Sequence, residues 1–331
     1  MGMLANLAYD VRKYYQSKKY SKIKKLTTFT IVSGSRACQA KCPFCVSKMT
    51  PPSGVGFKEP DVDWRSFDEA MATALSYNAK TVLITSKGEN TIFPDQVTKY
   101  LKRLDTAPYK FYWKRELQSN GIGIWKNTKN VRDYLPIWRD LHLRTIAISV
   151  VGIDPEKNRE IYTPKDKEYI DLVGLLDLLK KHDFKTRLSV IMAKGYVDSV
   201  EGAQEMIDFT RKHKVDQLTL TPVNKADDPG KGDKNRESLD DAFYDEARKV
   251  QQWTIEHVLD KSTLRDIARH VEKRGKLLDT LPHGAEVFDI KGQNVALSNC
   301  LTLQPKGDAI RQLIFINGDI RYDWQYEGAT F

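Results

Sequence analysis

Short β-branched and apolar runs alternate along this chain with longer stretches whose apolar residues recur every three or four positions. The runs 26–33 (LTTFTIVS), 80–86 (KTVLITS), 111–119 (FYWKRELQS), 144–152 (RTIAISVVG), 185–193 (KTRLSVIMA) and 216–223 (DQLTLTPV) predict six strands. Between them, helical spacing predicts helices over 64–78, from Pro94 to about Leu104, and over 129–142, 166–182 and 199–213. Strands that alternate with helices imply a parallel sheet with right-handed crossovers. The expected fold is α/β, a partial (β/α)6 TIM-like barrel. A polar stretch at 224–237 ends that rhythm, and two further helices are expected near 238–258 and 262–278. Asn317-Gly318 between alternating apolar runs predicts a hairpin in 309–328, so the barrel is followed by a C-terminal α+β extension. The expected division is a basic arm at 1–25, a core barrel at 26–223 and a substrate-capping extension at 224–331.

Composition narrows the class. Of 331 residues, 40% are hydrophobic and 29% charged, as in an ordinary globular protein. No run reaches the length of a transmembrane helix, and the N-terminal stretch has no secretory pattern. A cytoplasmic location is therefore expected. The net charge is +9, but residues 1–25 hold seven Lys/Arg against one Asp. In that arm Tyr14, Tyr15 and Tyr20 interleave with the cations, as suits phosphate attraction with stacking, or a solvated amphipathic helix. Nucleic acid is thus a possible partner.

The four cysteines are unevenly spent. Cys38, Cys42 and Cys45 fall in RACQAKCPFCVSKM (36–49) with C-x3-C-x2-C spacing, and Cys300 is far away. In a reducing compartment clustered cysteines bind metal or do chemistry. Structural zinc usually takes cysteines in pairs, whereas this trio has no second pair. Three thiolates on one loop can hold three irons of a [4Fe–4S] cube and leave the fourth open.

The spacing, with Phe44 before the last cysteine, resembles the signature of radical S-adenosylmethionine (SAM) enzymes. In that family the open iron chelates SAM. Reduction cleaves SAM to methionine and a 5′-deoxyadenosyl radical, which takes a hydrogen atom from the substrate. The resemblance extends over roughly 26–223. Ser86-Lys-Gly-Glu89 is similar to the family's Gly-Gly-Glu turn, with Lys87 in place of the first glycine. LQSNG (117–121) is similar to Thr-Asn-Gly, with Ser119 as the hydroxyl. AISVVGIDPEKNREIY is similar to the Ser-x2-Gly/Asp-to-Tyr run of cofactor-synthesis relatives. In TRLSVIMAKG, Ser189 stands where molybdopterin-synthesis-type relatives place a ribose-binding Asn. The resemblance implies that Cys38, Cys42 and Cys45 ligate the cluster. It also implies that Phe44, Gly88, Glu89, Ser119, Ser149 and Ser189 position SAM. A one-electron reductant such as flavodoxin or ferredoxin is the implied partner.

Cys300 has three readings: a small buried hydrophobe, a hydrogen donor to a substrate radical, or a fourth cluster ligand. Without more cysteines the tail cannot hold an auxiliary cluster through thiolates, so ordinary side chains must hold the substrate. Arg321, Tyr322 and Trp324 of the terminal hairpin are candidates, alongside Arg311 and Tyr326. The charge points to an anionic substrate, nucleotide-like first. The rival is a non-catalytic zinc-stapled protein that binds nucleic acid, with modification of a nucleic acid or peptide as a further alternative.

Overall fold

The structure is a computed structural model that describes residues 26, 28–106, 113–163, 165–226, 241–301, 303 and 310–330. The basic arm at 1–25 and most of the polar stretch at 224–237 lie outside the described residues. Six strands follow the expected rhythm: β1 (Thr28–Val32), β2 (Thr81–Thr85), β3 (Lys114–Ser119), β4 (Leu143–Val150), β5 (Lys185–Met192) and β6 (Gln217–Pro222). The helices are α1 (Val46–Met49), α2 (Trp64–Ser76), α3 (Pro94–Leu104), α4 (Ile122–Trp125), α5 (Val131–Asp140), α6 (Pro155–Tyr162), α7 (Leu172–Lys181), α8 (Val200–Lys212), α9 (Asp241–His257) and α10 (Lys261–Arg274). The C-terminal part adds β7 (Lys276–Thr280), β8 (Glu286–Ile290), β9 (Gln293–Leu297), β10 (Gln312–Ile316) and β11 (Asp319–Arg321).

All eleven strands form one sheet, ordered β11-β10-β1-β2-β3-β4-β5-β6-β9-β8-β7. The run from β10 to β9 is parallel throughout. The six predicted units therefore form the middle of an eight-strand parallel array. β10 joins beside β1 and β9 beside β6, and the sheet does not close into a full barrel. Short antiparallel strands flank the array, β11 on β10 and β8 with β7 beyond β9.

Strand alternation gives the sheet two different faces. Phe29, Ile31, Val82, Ile84, Ile146, Ile148, Leu188, Val190, Leu218 and Leu220 are fully buried in the main core, together with helix residues such as Phe67, Leu101, Leu175 and Ile207. The opposite, inner face is polar along its middle, and it is there that chemistry can be done.

Local caps explain where the periodicity misleads. The helix expected over 166–182 begins only at Leu172, because the Asp171 carboxylate accepts from Gly174 N and fixes the start. α6 was absent from the expected elements, although Asp154-Pro155 marks its start: Asp154 accepts from Glu156 N, and Pro155 occupies the first turn. The helix expected to reach 278 stops at Arg274. Gly275 turns the chain extended, and its amide caps Val271 O. At the other end the hairpin is as predicted. Asn317 and Gly318 both have positive φ, 50° and 89°, as a type I′ turn requires.

Candidate active site

The loop after β1 carries Cys38, Cys42 and Cys45, and α1 follows directly from Cys45. The turn after β2 stitches this loop in place. Ser86 Oγ donates to Ser35 O at 3.1 Å, Glu89 N donates to Ala37 O at 2.9 Å, and Lys87 Nζ donates to Thr50 Oγ1 at 2.9 Å. Between them Gly88 packs on the backbone of Arg36 and Ala37; a Cβ there would lie 2.1 Å from Ala37 O. Glycine is thus required at 88 for a packing reason.

Glu89 is 3% exposed. Its Oε1 accepts from Thr91 N, Thr91 Oγ1 and Ser119 Oγ at 3.1, 2.7 and 2.8 Å, and its Oε2 accepts from Asn120 N at 2.9 Å. Burial raises its pKa, and these donors oppose the rise. Asn120 also reaches the cysteine loop, with Nδ2 3.7 Å from Cys38 Sγ, and Ala40 N donates to the same sulfur at 3.4 Å. Asn120, the middle residue of the Thr-Asn-Gly likeness, thus has a contact to the cysteine loop that was not among the expected site contacts.

The three thiols act on one another. Desolvation and then the nearby Glu89 charge push the Cys38 thiol up to about 12. Cys42 is raised well above its ordinary range, by burial first and then by Cys45 and Cys38. A positively charged metal centre is what such a set of crowded thiols is suited to receive. Among the described residues no group of His, Cys, Asp or Glu is arranged to hold a single metal ion. A four-iron cluster places each thiolate on a different iron, so its donors need not converge on one point. Polar atoms near the loop also lack partners: both amide atoms of Gln39 and the hydroxyls of Tyr162 and Tyr169. Tyr162 stacks on Tyr169, and burial followed by the Cys42 charge raises the pKa of both. Unsatisfied buried groups of this kind fit a polar cofactor seated beside the cysteines. Phe44 fills the gap between the loop and α9, with its ring 6.1 Å from Tyr162 and 5.6 Å from Trp253.

Cys300 is far from the trio in sequence. It is buried, and its thiol donates to Asn224 O at 3.7 Å, while Arg311 donates to the Cys300 carbonyl. That places it past the ends of β6 and β9.

Ser149, Ser189 and Thr219 occupy one row across β4, β5 and β6. One layer below on the same face lie Ala147, Arg187, Gln217 and Asn294. Arg187 crosses the small Ala147 to pair with Glu116 on β3. The Arg187 Nε and Thr219 Oγ1 are buried without partners. Neither Glu116 nor Thr219 was expected to matter, because only the register reveals their shared face.

The register carries that inner face round to β1 and β10, where it is formed by Val32, Ile314 and Ile316. Trp324 packs on these three residues. Arg321, opposite Ile314, lies on the same side and is buried. Tyr322, by contrast, is 43% exposed, and its backbone amide donates to Ala329 O. The strand ends at Arg321; beyond it Asp323 and Gln325 are buried, and Trp324 packs on the inner face while Tyr326 is exposed.

A fold and a site of this kind define an enzyme of the radical SAM type. The Radical SAM superfamily model matches residues 32–210, more than half of the chain. The chain therefore belongs to the radical SAM superfamily, whose members use a [4Fe–4S] cluster and SAM. A comparison with curated proteins gave no match. Among solved structures, the chain is similar to Streptococcus suis SuiB bound to its precursor peptide SuiA. Identity is 15% with a TM-score of 0.53, over 94% of this chain and 63% of that one. SuiB bound to SAM gives 15% identity and a TM-score of 0.50, over 89% and 58%. Methylornithine synthase gives 11% and 0.45, over 92% and 78%. The chain thus spans less than two thirds of the length of the SuiB chains. No helix among the described residues is long and apolar enough to cross a membrane.

Proposed function

We propose that Cys38, Cys42 and Cys45 hold the cluster and that the fourth iron is left for SAM. The observation that carries this reading is the double link through Asn120, which joins the Glu89 carboxylate to Cys38. Gly88 brings the turn under the loop. Glu89 Oε2, with one protein donor, has a lone pair for the SAM ammonium. Ser119 holds Glu89, and Ser149 with Ser189 offers hydroxyls for the SAM ribose. Phe44 wedges the loop against α9. When bound, the cluster and SAM supply the 5′-deoxyadenosyl radical that takes hydrogen from the substrate.

The substrate occupies the inner face and is anionic, with a nucleotide-like molecule as the first form to try. The net charge of +9 and the Arg187 Nε, buried on the inner face without an acceptor, support an anion. The enzyme works in the cytoplasm with a small one-electron protein as reductant. The test is a screen of nucleotides, carboxylic acids and peptides for dithionite-dependent 5′-deoxyadenosine formation by the anaerobically reconstituted full chain. Stimulation by one anionic class supports the reading. Basal SAM cleavage that only uncharged compounds stimulate overturns the substrate class. A protein that binds zinc, no iron, and cleaves no SAM overturns the whole assignment.

A further inference from the structure

Lys87 is the one departure from the family's Gly-Gly-Glu turn, and its side chain is 4% exposed. A buried ammonium is normally paired with a carboxylate. Among the described residues no carboxylate lies within ion-pair distance of Lys87. Its hydrogen bond goes to the neutral Thr50 hydroxyl, which in turn donates to Val46 O. The Trp324 ring covers the ammonium, 5.2 Å from Nζ to the ring centre.

Two more donors nearby are unused. The Trp324 Nε1 and the Arg321 Nε are both buried with no acceptor. Arg321 spends its two other nitrogens on Glu327 O and Asp319 Oδ2, each at 2.9 Å. Asp319 pairs with Arg321, whereas among the described residues no carboxylate pairs directly with Lys87. Burial lowers the Lys87 pKa to about 7; Cys45 and Glu327 oppose that shift, and Arg321 and Arg36 add to it. An anion placed beside Lys87 restores the ordinary protonated state.

We propose that Lys87, Trp324 and Arg321 form an oxyanion subsite for the substrate, roofed by the C-terminal tail and adjoining the cysteine loop. Buried N–H groups left without acceptors are disfavoured, and an oxyanion would supply acceptors to the Trp324 and Arg321 N–H groups beside the Lys87 charge. A buried ammonium whose one hydrogen bond goes to a neutral hydroxyl suits one carboxylate or one phosphoryl group. Arg321 and Trp324 lie on the same sheet face as the Ser149–Ser189–Thr219 row. A substrate anchored here therefore faces SAM rather than the solvent. This subsite rests on the radical SAM reading above and fixes where the anionic substrate is gripped.

The test is calorimetric titration of the anaerobically reconstituted full chain with inorganic phosphate and with acetate, at saturating SAM. Wild type, Lys87→Met and Trp324→Phe are compared. Trp324→Phe removes one N–H and keeps a ring over the lysine, so it decides the matter even if Lys87→Met folds poorly. The expected result is one saturable site, weakened about tenfold or more in each variant. Preference for phosphate points to a phosphoryl-bearing substrate, and preference for acetate to a carboxylate. No saturable site, equal affinity in all three proteins, or a site present only without SAM overturns the subsite. SAM cleavage is scored separately. A protein that cleaves SAM yet binds neither anion refutes the subsite alone, and one that assembles no cluster refutes the parent reading.

Discussion

Gly88 lies against Ala37 so closely that any Cβ at 88 would fall 2.1 Å from the Ala37 carbonyl oxygen. The neighbour is backbone, and it belongs to the loop that carries the three cysteines. Gly88→Ala must therefore move that loop. The expected outcome is a loss of roughly 2–4 kcal/mol in the cofactor-free protein, read from denaturant midpoints, together with failure to assemble the cluster. An alanine variant with normal iron content would show that the loop yields freely.

The Glu89 carboxylate accepts four hydrogen bonds, all from protein donors. Glu89→Gln keeps the shape but turns one oxygen into an NH2 that faces donors. SAM affinity is expected to fall about tenfold or more, measured by equilibrium binding to the reconstituted protein, because a charge-assisted bond to the SAM ammonium is lost. Ser119→Ala, which removes one donor to Glu89, should give a smaller loss in the same direction.

Glu116 and Arg187 are paired and mostly buried, with side chains 12% and 19% exposed. Removing only the cation leaves an uncompensated carboxylate. Arg187→Met is expected to lower stability by about 3–5 kcal/mol, and the double variant with Glu116→Gln to recover most of that loss. Urea unfolding of the two single variants and the double variant checks the cycle.

Lys87 makes a pH signature in the cofactor-free protein. Its folded pKa, pushed down by burial to about 7, lies below the unfolded value of 10.5. Between those values the unfolded chain binds more protons, so stability rises with pH across that window. Below pH 7 both states are protonated and the full burden of the buried charge remains. Lys87→Met should flatten the rise and stabilise the protein at pH 6–7 by on the order of 2–4 kcal/mol. Parallel slopes for both proteins would show that the lysine is already neutralised.

The six-unit barrel was legible because buried strands and amphipathic helices keep distinct periods, as KTVLITS and WRSFDEAMATALS do. The cysteine loop and Glu89 were legible because their chemistry is local in sequence. β9 and β10 were not legible as members of the same sheet. Each is five residues long, and nothing local says which strand it will join. The same limit hid Glu116 and Thr219, whose shared face depends on register across four strands. Lys87 looked only like a flaw in a motif, because its partners Thr50 and Trp324 are distant in sequence and only the fold brings them together.

A cluster held by Cys38, Cys42 and Cys45 needs no thiolate from Cys300. Iron and acid-labile sulfide content of anaerobically reconstituted Cys300→Ala tests this central claim most directly. The expected result is about four irons and four sulfides per chain, equal to wild type. Loss of the cluster in this variant would make Cys300 the fourth ligand and contradict the account.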